Sequence, residues 1–213
     1  MPVSATKKPE LDAPVDLRLR ALDNLSFIRD AMERASVFTA VPGWGMVGMG
    51  VVALTGGSLA AQRVSVDWWI NTWACVALAG CVVGTASMAW KAQRQEQTMW
   101  SGLGRRAIFS FSPAILAGMV FTEVLYENRL EALMPGVWLM LYGVAVCGAG
   151  AFSVRVVPLL GLSFMLLALP AFLMGDSSSA LIGPLRWADL LLMAGFGGLH
   201  LLAGLYIARN HGG

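Results

Sequence analysis

Met134–Met174 reads MPGVWLMLYGVAVCGAGAFSVRVVPLLGLSFMLLALPAFLM, and how this stretch divides decides the fold. Its single charge is Arg155. As one helix it would be ~60 Å long, about twice the hydrocarbon thickness of a bilayer. It must therefore fold back. Ser153-Val154-Arg155-Val156-Val157-Pro158 is the place, because the charge seeks water and Pro158 suits the first turn of a new helix. The stretch becomes two spans, Met134–Phe152 and Val156–Met174.

Working outward, four more apolar runs approach the ~20 residues that a spanning helix needs. They are Val37–Ala61, Trp68–Trp90, Ala107–Tyr126 and Trp187–Ile207. The whole chain has 213 residues, 57% of them hydrophobic and 13% charged, with a mean hydropathy of +0.66. A soluble domain carries about 25% charged residues. A bilayer removes the need for polar cover, so the expected fold is an all-α bundle of six transmembrane helices. The formal charge of +2 predicts no nucleic-acid partner. Residues 1–14 are polar and the first long apolar run starts near Val37, too far along and too long to be a signal-peptide core.

Orientation follows from Lys and Arg. With the N-terminus inside, the inner segments hold twelve, including Lys91, Arg94, Arg105, Arg106 and Arg155, and the outer segments hold three, Arg63, Arg129 and Arg186. That bias places both termini in the cytoplasm. Trp68, Trp69, Trp90 and Trp187 lie at run ends, where the headgroup region suits their rings.

Residues 1–14 read as a polar tail, 15–36 as a cytoplasmic amphipathic helix, 37–207 as the membrane domain and 208–213 as a C-terminal tail. In the helix, Ala21, Leu22, Leu25, Ile28, Met32 and Ala35 share one face. Asp16–Arg20 and Asp30–Arg34 are favourable i,i+4 pairs. Residues 1–36 carry six basic and six acidic groups, whereas a lipid-surface helix is rich in Lys and Arg. The expected cover for the apolar face is the protein itself or a cytoplasmic partner protein.

Small residues predict helix contacts. Gly80 and Gly84, continued by Ala77 and Ser87, mark the second span; Gly45, Gly48 and Gly56 mark the first. Pro42-Gly43 and Gly50 recur at the same offset as Pro135-Gly136 and Gly143, as an inverted repeat of three spans would require. In helices this rich in Gly and Val, chance produces such matches too.

His200 is the sharpest candidate site, ~20 Å into the sixth span by residue count, since an ionisable group at that depth is a functional-site hypothesis. Gly197, His200 and Gly204 fall on one stripe, so His200 is expected to face another helix. Ser163, at similar depth in the fifth span, is its expected hydrogen-bond partner, in a structural rather than chemical role. Glu123 and Asp189 lie close to the outer ends of their runs. They read as solvated interface or, alternatively, as cation or proton sites of a vestibule. No catalytic, cofactor or metal residues are assigned. A bis-histidine haem would need a second intramembrane histidine, and the only other one is His211 in the tail. Cys75, Cys81 and Cys147 all lie within apolar runs and read as small buried hydrophobes. A rhomboid-type Ser–His dyad fits poorly: Ser163 is in the fifth span and no glycine follows it.

Phe27–Ala35, Phe38–Gly45, Phe152–Arg155 and Gly195–His200 together resemble a group of uncharacterised bacterial six-span membrane proteins. The resemblance implies an inner-membrane location and brings no activity or catalytic residue with it. The expected function is a non-enzymatic membrane component with a cytoplasmic partner. The alternative is a small secondary transporter or proton- or cation-coupled carrier using the outer carboxylates.

Overall fold

The computed structural model describes residues 19–20, 22–28, 41–62, 64–94, 102–151, 153–174, 180–182 and 185–210. It divides into two compact units, Met1–Ser36 and Val37–Gly213. In the first, residues 19–20 and 22–28 are helical, and Leu22, Leu25 and Ile28 are exposed. The calls on residues 1–14, on Ala21, Met32 and Ala35, on the pairs Asp16–Arg20 and Asp30–Arg34 and on residues 211–213 lie outside the described residues.

The second unit is an all-α bundle of six helices long and apolar enough to cross a membrane. They are α1 (Gly43–Ala60), α2 (Val66–Arg94), α3 (Gly102–Glu127), α4 (Met134–Gly150), α5 (Val156–Met174) and α6 (Trp187–Asn210). Two short strands, Ala180–Ile182 and Leu185–Arg186, pair antiparallel ahead of α6. The fold-back is where the sequence puts it: α4 ends at Gly150, α5 opens at Val156, and Pro158 occupies the first turn.

Local chemistry sets the other ends. Pro42 lacks an amide hydrogen and holds Val41 away from helical geometry, so α1 starts at Gly43 rather than Val37. Pro42 still supplies the first acceptor, to the Met46 amide at 3.0 Å. α2 is 29 residues long, more than the expected Trp68–Trp90, with Asp67 in its first turn and Lys91 and Arg94 in its last, each matching the helix dipole. α3 ends in a Schellman turn. Arg129 adopts φ 59°, the Leu130 amide donates to Leu125 O at 2.8 Å and the Arg129 amide to Tyr126 O at 3.1 Å.

The core is shared unequally. α1, α4, α5 and α6 hold most of the buried residues, while in α2 only Trp69, Trp73, Lys91 and Ala92 are buried. Two close seams tie the inner helices. A Cβ added to Gly204 of α6 would lie 2.8 Å from the Gly43 carbonyl of α1, and one added to Gly143 of α4 would lie 2.7 Å from the Gly161 carbonyl of α5. Only glycine lets two backbones approach so closely. At the α3–α4 end, Tyr126 Oη donates to Asp67 Oδ1 at 2.6 Å and joins α3 to α2.

Two packing expectations change. On α2, Gly80 meets nothing and Gly84 meets only the flexible thioether of Met49. The α1–α2 contact instead seats α2 side chains against α1 glycines: Ser87 on Gly45, Val83 on Gly48 and Val76 on Gly56. The offset match between α1 and α4 is not a structural symmetry. Gly43 and Gly50 face α6, whereas Gly136 and Gly143 face α5, which an inverted repeat would not pair as equivalents. Cys75 and Cys81 are exposed rather than buried, because they sit on the outward faces of the peripheral α2.

Candidate functional site

Two buried polar centres share α6. The first is Asp189, in the helix's first turn, with no solvent exposure at all. The expectation of a solvated interface residue is overturned, because α2 places an indole over the carboxylate. Trp69 Nε1 donates to Asp189 Oδ1 at 2.6 Å. Trp69 is also fully buried, against its expected place at the headgroups, while the adjacent Trp68 is exposed. Consecutive helical residues point about 100° apart, so one ring of the pair faces out and the other in.

Trp69 stacks on Trp138 of α4, with centroids 5.3 Å apart and planes inclined by 11°. Trp138 Nε1 then donates to Thr122 Oγ1 at 2.8 Å, and Thr122 Oγ1 to Gly118 O at 2.7 Å, reaching α3. A chain of side chains from four helices thus ends on this carboxylate. Its second oxygen, Oδ2, is buried without a hydrogen-bond partner, as is Nε1 of Trp73, one turn along α2 from Trp69. More than nine in ten buried polar groups find a partner, so these two atoms form the least satisfied place in the described core.

Glu123 does not join them. It is exposed on α3, so the two carboxylates do not share a vestibule.

The second centre is His200, 3% exposed. Ser163 is not its partner. The serine hydroxyl donates back to Leu159 O of its own helix at 2.9 Å. This local bond is always within reach of a helical serine and needs no neighbour. His200 meets Tyr142 of α4 instead, with Nε2 and Oη 2.8 Å apart, while Nδ1 lies 3.0 Å from Phe196 O. Gly197 and Gly204 face α1, so the expected common stripe is split: the glycines meet one helix and the imidazole another.

The helix geometry explains the imidazole's orientation. Met193–Leu199 is π-helical, and the His200 amide donates to Gly197 O. The Phe196 carbonyl is therefore not used by that amide and accepts from the ring. A carbonyl can only accept, so in the neutral imidazole Nδ1 carries the hydrogen. Nε2 then has the lone pair, and the Tyr142 hydroxyl donates to it. Phe111, Phe164 and Phe196 pack edge-on or tilted around Tyr142, at 5.7, 4.8 and 5.0 Å between centroids. Phe164 and Tyr142 also flank His200, at 5.4 and 5.5 Å.

This box holds a Tyr–His pair with both ring nitrogens satisfied. Among the described residues no three His, Cys, Asp or Glu side chains gather closely enough to hold a metal ion.

Tyr142 and Trp73 were not singled out by sequence reasoning, and Trp69 was marked only as a ring at the headgroups. A faint signal for Tyr142 is present: it is one of only three tyrosines in the chain and lies inside a span, where its hydroxyl needs a partner. Lys91 was taken as loop charge. It is 4% exposed, and its Nζ donates to Val41 O at 2.9 Å.

No family model, no curated protein and no solved structure matches this chain.

Proposed function

We propose that this chain is a non-enzymatic component of the bacterial inner membrane, both termini cytoplasmic, that docks a cytoplasmic protein through residues 15–36. One observation carries the reading: within the helical residues 22–28, Leu22, Leu25 and Ile28 are 54%, 62% and 52% exposed. An apolar stripe at this spacing on a helix of balanced charge fits a groove in a partner better than an anionic lipid surface. The test is cross-linking of the full chain in its own membranes, with Leu22→Asp/Leu25→Asp as the comparison. A stoichiometric cytoplasmic partner lost in the variant is the expected result. The same adducts in both forms would remove the docking face. Orientation is checked on a cysteine-free background carrying Gln62→Cys or Arg155→Cys. An impermeant thiol reagent added outside should reach only Gln62→Cys, and labelling at 155 instead would invert the topology.

A second reading, a small proton- or cation-coupled carrier, is favoured by the unpartnered Oδ2 of buried Asp189. Its test is ion flux in proteoliposomes. Flux present in the native chain and absent in Asp189→Asn supports a carrier. Its absence in both leaves only the docking reading.

A further inference from the structure

We propose that the cleft between the start of α1 and the end of α2 seats the phosphate and glycerol of an anionic phospholipid. The cleft measures about 180 Å³ and is lined by Pro42, Trp44, Gly45, Val83, Ser87, Trp90 and Lys91. It exists because the helices close on each other at Gly45, where Ser87 packs, while the two indoles splay outward on either side. Trp44 and Trp90 are 62% and 50% exposed and form its rims, at the end of the spans where aromatic rings meet headgroups.

Two cations mark its end. Lys91 is fixed by its bond to Val41 O, and the guanidinium of exposed Arg94 lies 3.9 Å over the Trp90 ring. Stacking on an aromatic face holds an arginine in place and leaves its edge donors available to an anion. α2 continues past its apolar stretch as far as Arg94, which brings both charges to headgroup level.

The occupant follows from this combination. An apolar floor and aromatic rims offer little to a free phosphate ion. A zwitterionic headgroup brings its own cation towards Lys91 and Arg94, which is unfavourable. The cleft of about 180 Å³ takes the phosphate ester and adjoining glycerol carbons, with the acyl tails outside along the exposed helix faces. Basic pockets between spans take anionic headgroups in this way. The inference rests on the six spans and on neither functional reading above.

Native mass spectrometry of the purified full chain from mixed micelles tests it, with phosphatidylglycerol and phosphatidylcholine as the probes. The expected result is about a tenfold preference for phosphatidylglycerol, a difference of ~1.4 kcal/mol. Arg94→Gln and Trp44→Ala change exposed side chains and should keep the native melting temperature while each lowers that preference severalfold. Lys91→Gln should abolish it; should that variant fail to fold, the two exposed-site variants decide. Equal retention of the two lipids by the native chain would overturn the proposal. So would an unchanged preference in both exposed-site variants. Displacement by glycerol 3-phosphate as effective as by phosphatidylglycerol would overturn the lipid as occupant.

Discussion

His200 and Asp189 lie on the same helix, are almost equally removed from solvent and differ in one respect: the imidazole has a partner at each nitrogen, the carboxylate at only one oxygen. The difference arises in the backbone. At His200 a π-helical stretch directs a carbonyl to the ring, and α4 brings a hydroxyl to the other side. At Asp189 the partner is an indole, which has a single donor and gives it to one carboxylate oxygen, leaving the other without a partner. A fully paired buried group holds a structure together. A half-paired one has capacity left for something else.

Substitutions can break this contrast. His200→Leu should have the largest effect, about 2–3 kcal/mol of stability, since it strands the Tyr142 hydroxyl inside an aromatic box and removes the acceptor. Thermal unfolding in detergent measures it, and an unchanged midpoint would mean that the pair contributes nothing. Asp189→Ala removes the acceptor of the buried Trp69 indole and should cost about 1–2 kcal/mol. Tyr142→Phe keeps the rings and loses one bond, so about 0.6 kcal/mol is expected and ~1.7 is the ceiling. A double-mutant cycle between Tyr142 and His200 should return coupling of that size, and the same cycle between Ser163 and His200 should return none. Asp189→Asn should be smallest, because the amide oxygen can keep the Trp69 bond. A large loss there would show that Oδ2 has a partner in the membrane and would erase the contrast.

The spans were legible because the constraint behind them is one-dimensional. Apolar length and the break at Arg155 and Pro158 are both properties of the chain read end to end. What was not legible depends on rotation about a helix axis. Trp68 and Trp69 look alike in sequence, yet one is exposed and the other buried. The glycines of α2 look like a contact motif, but the contact uses α1's glycines. Ser163 matched His200 in depth and missed it because its own helix offered a nearer acceptor. Asp189 was correctly marked as a carboxylate near a span end, but its burial required knowing that Trp69 turns inward.

The π-helical stretch also sets the phase of everything that follows it in α6. A π turn takes up about one residue more than an α turn, so residues 200–210 stand about 100° from where an uninterrupted α-helix would put them. Gly195, Phe196, Gly197 and Gly198 are the residues that absorb this offset, and a side chain at Gly198 would meet nothing within 4 Å. Shortening the stretch by that one glycine would leave the span's composition almost unchanged, yet it would turn His200 away from Tyr142 and move Gly204 off the α1 seam together. In this helix the number of residues between two side chains, as well as their identity, determines which neighbours they meet.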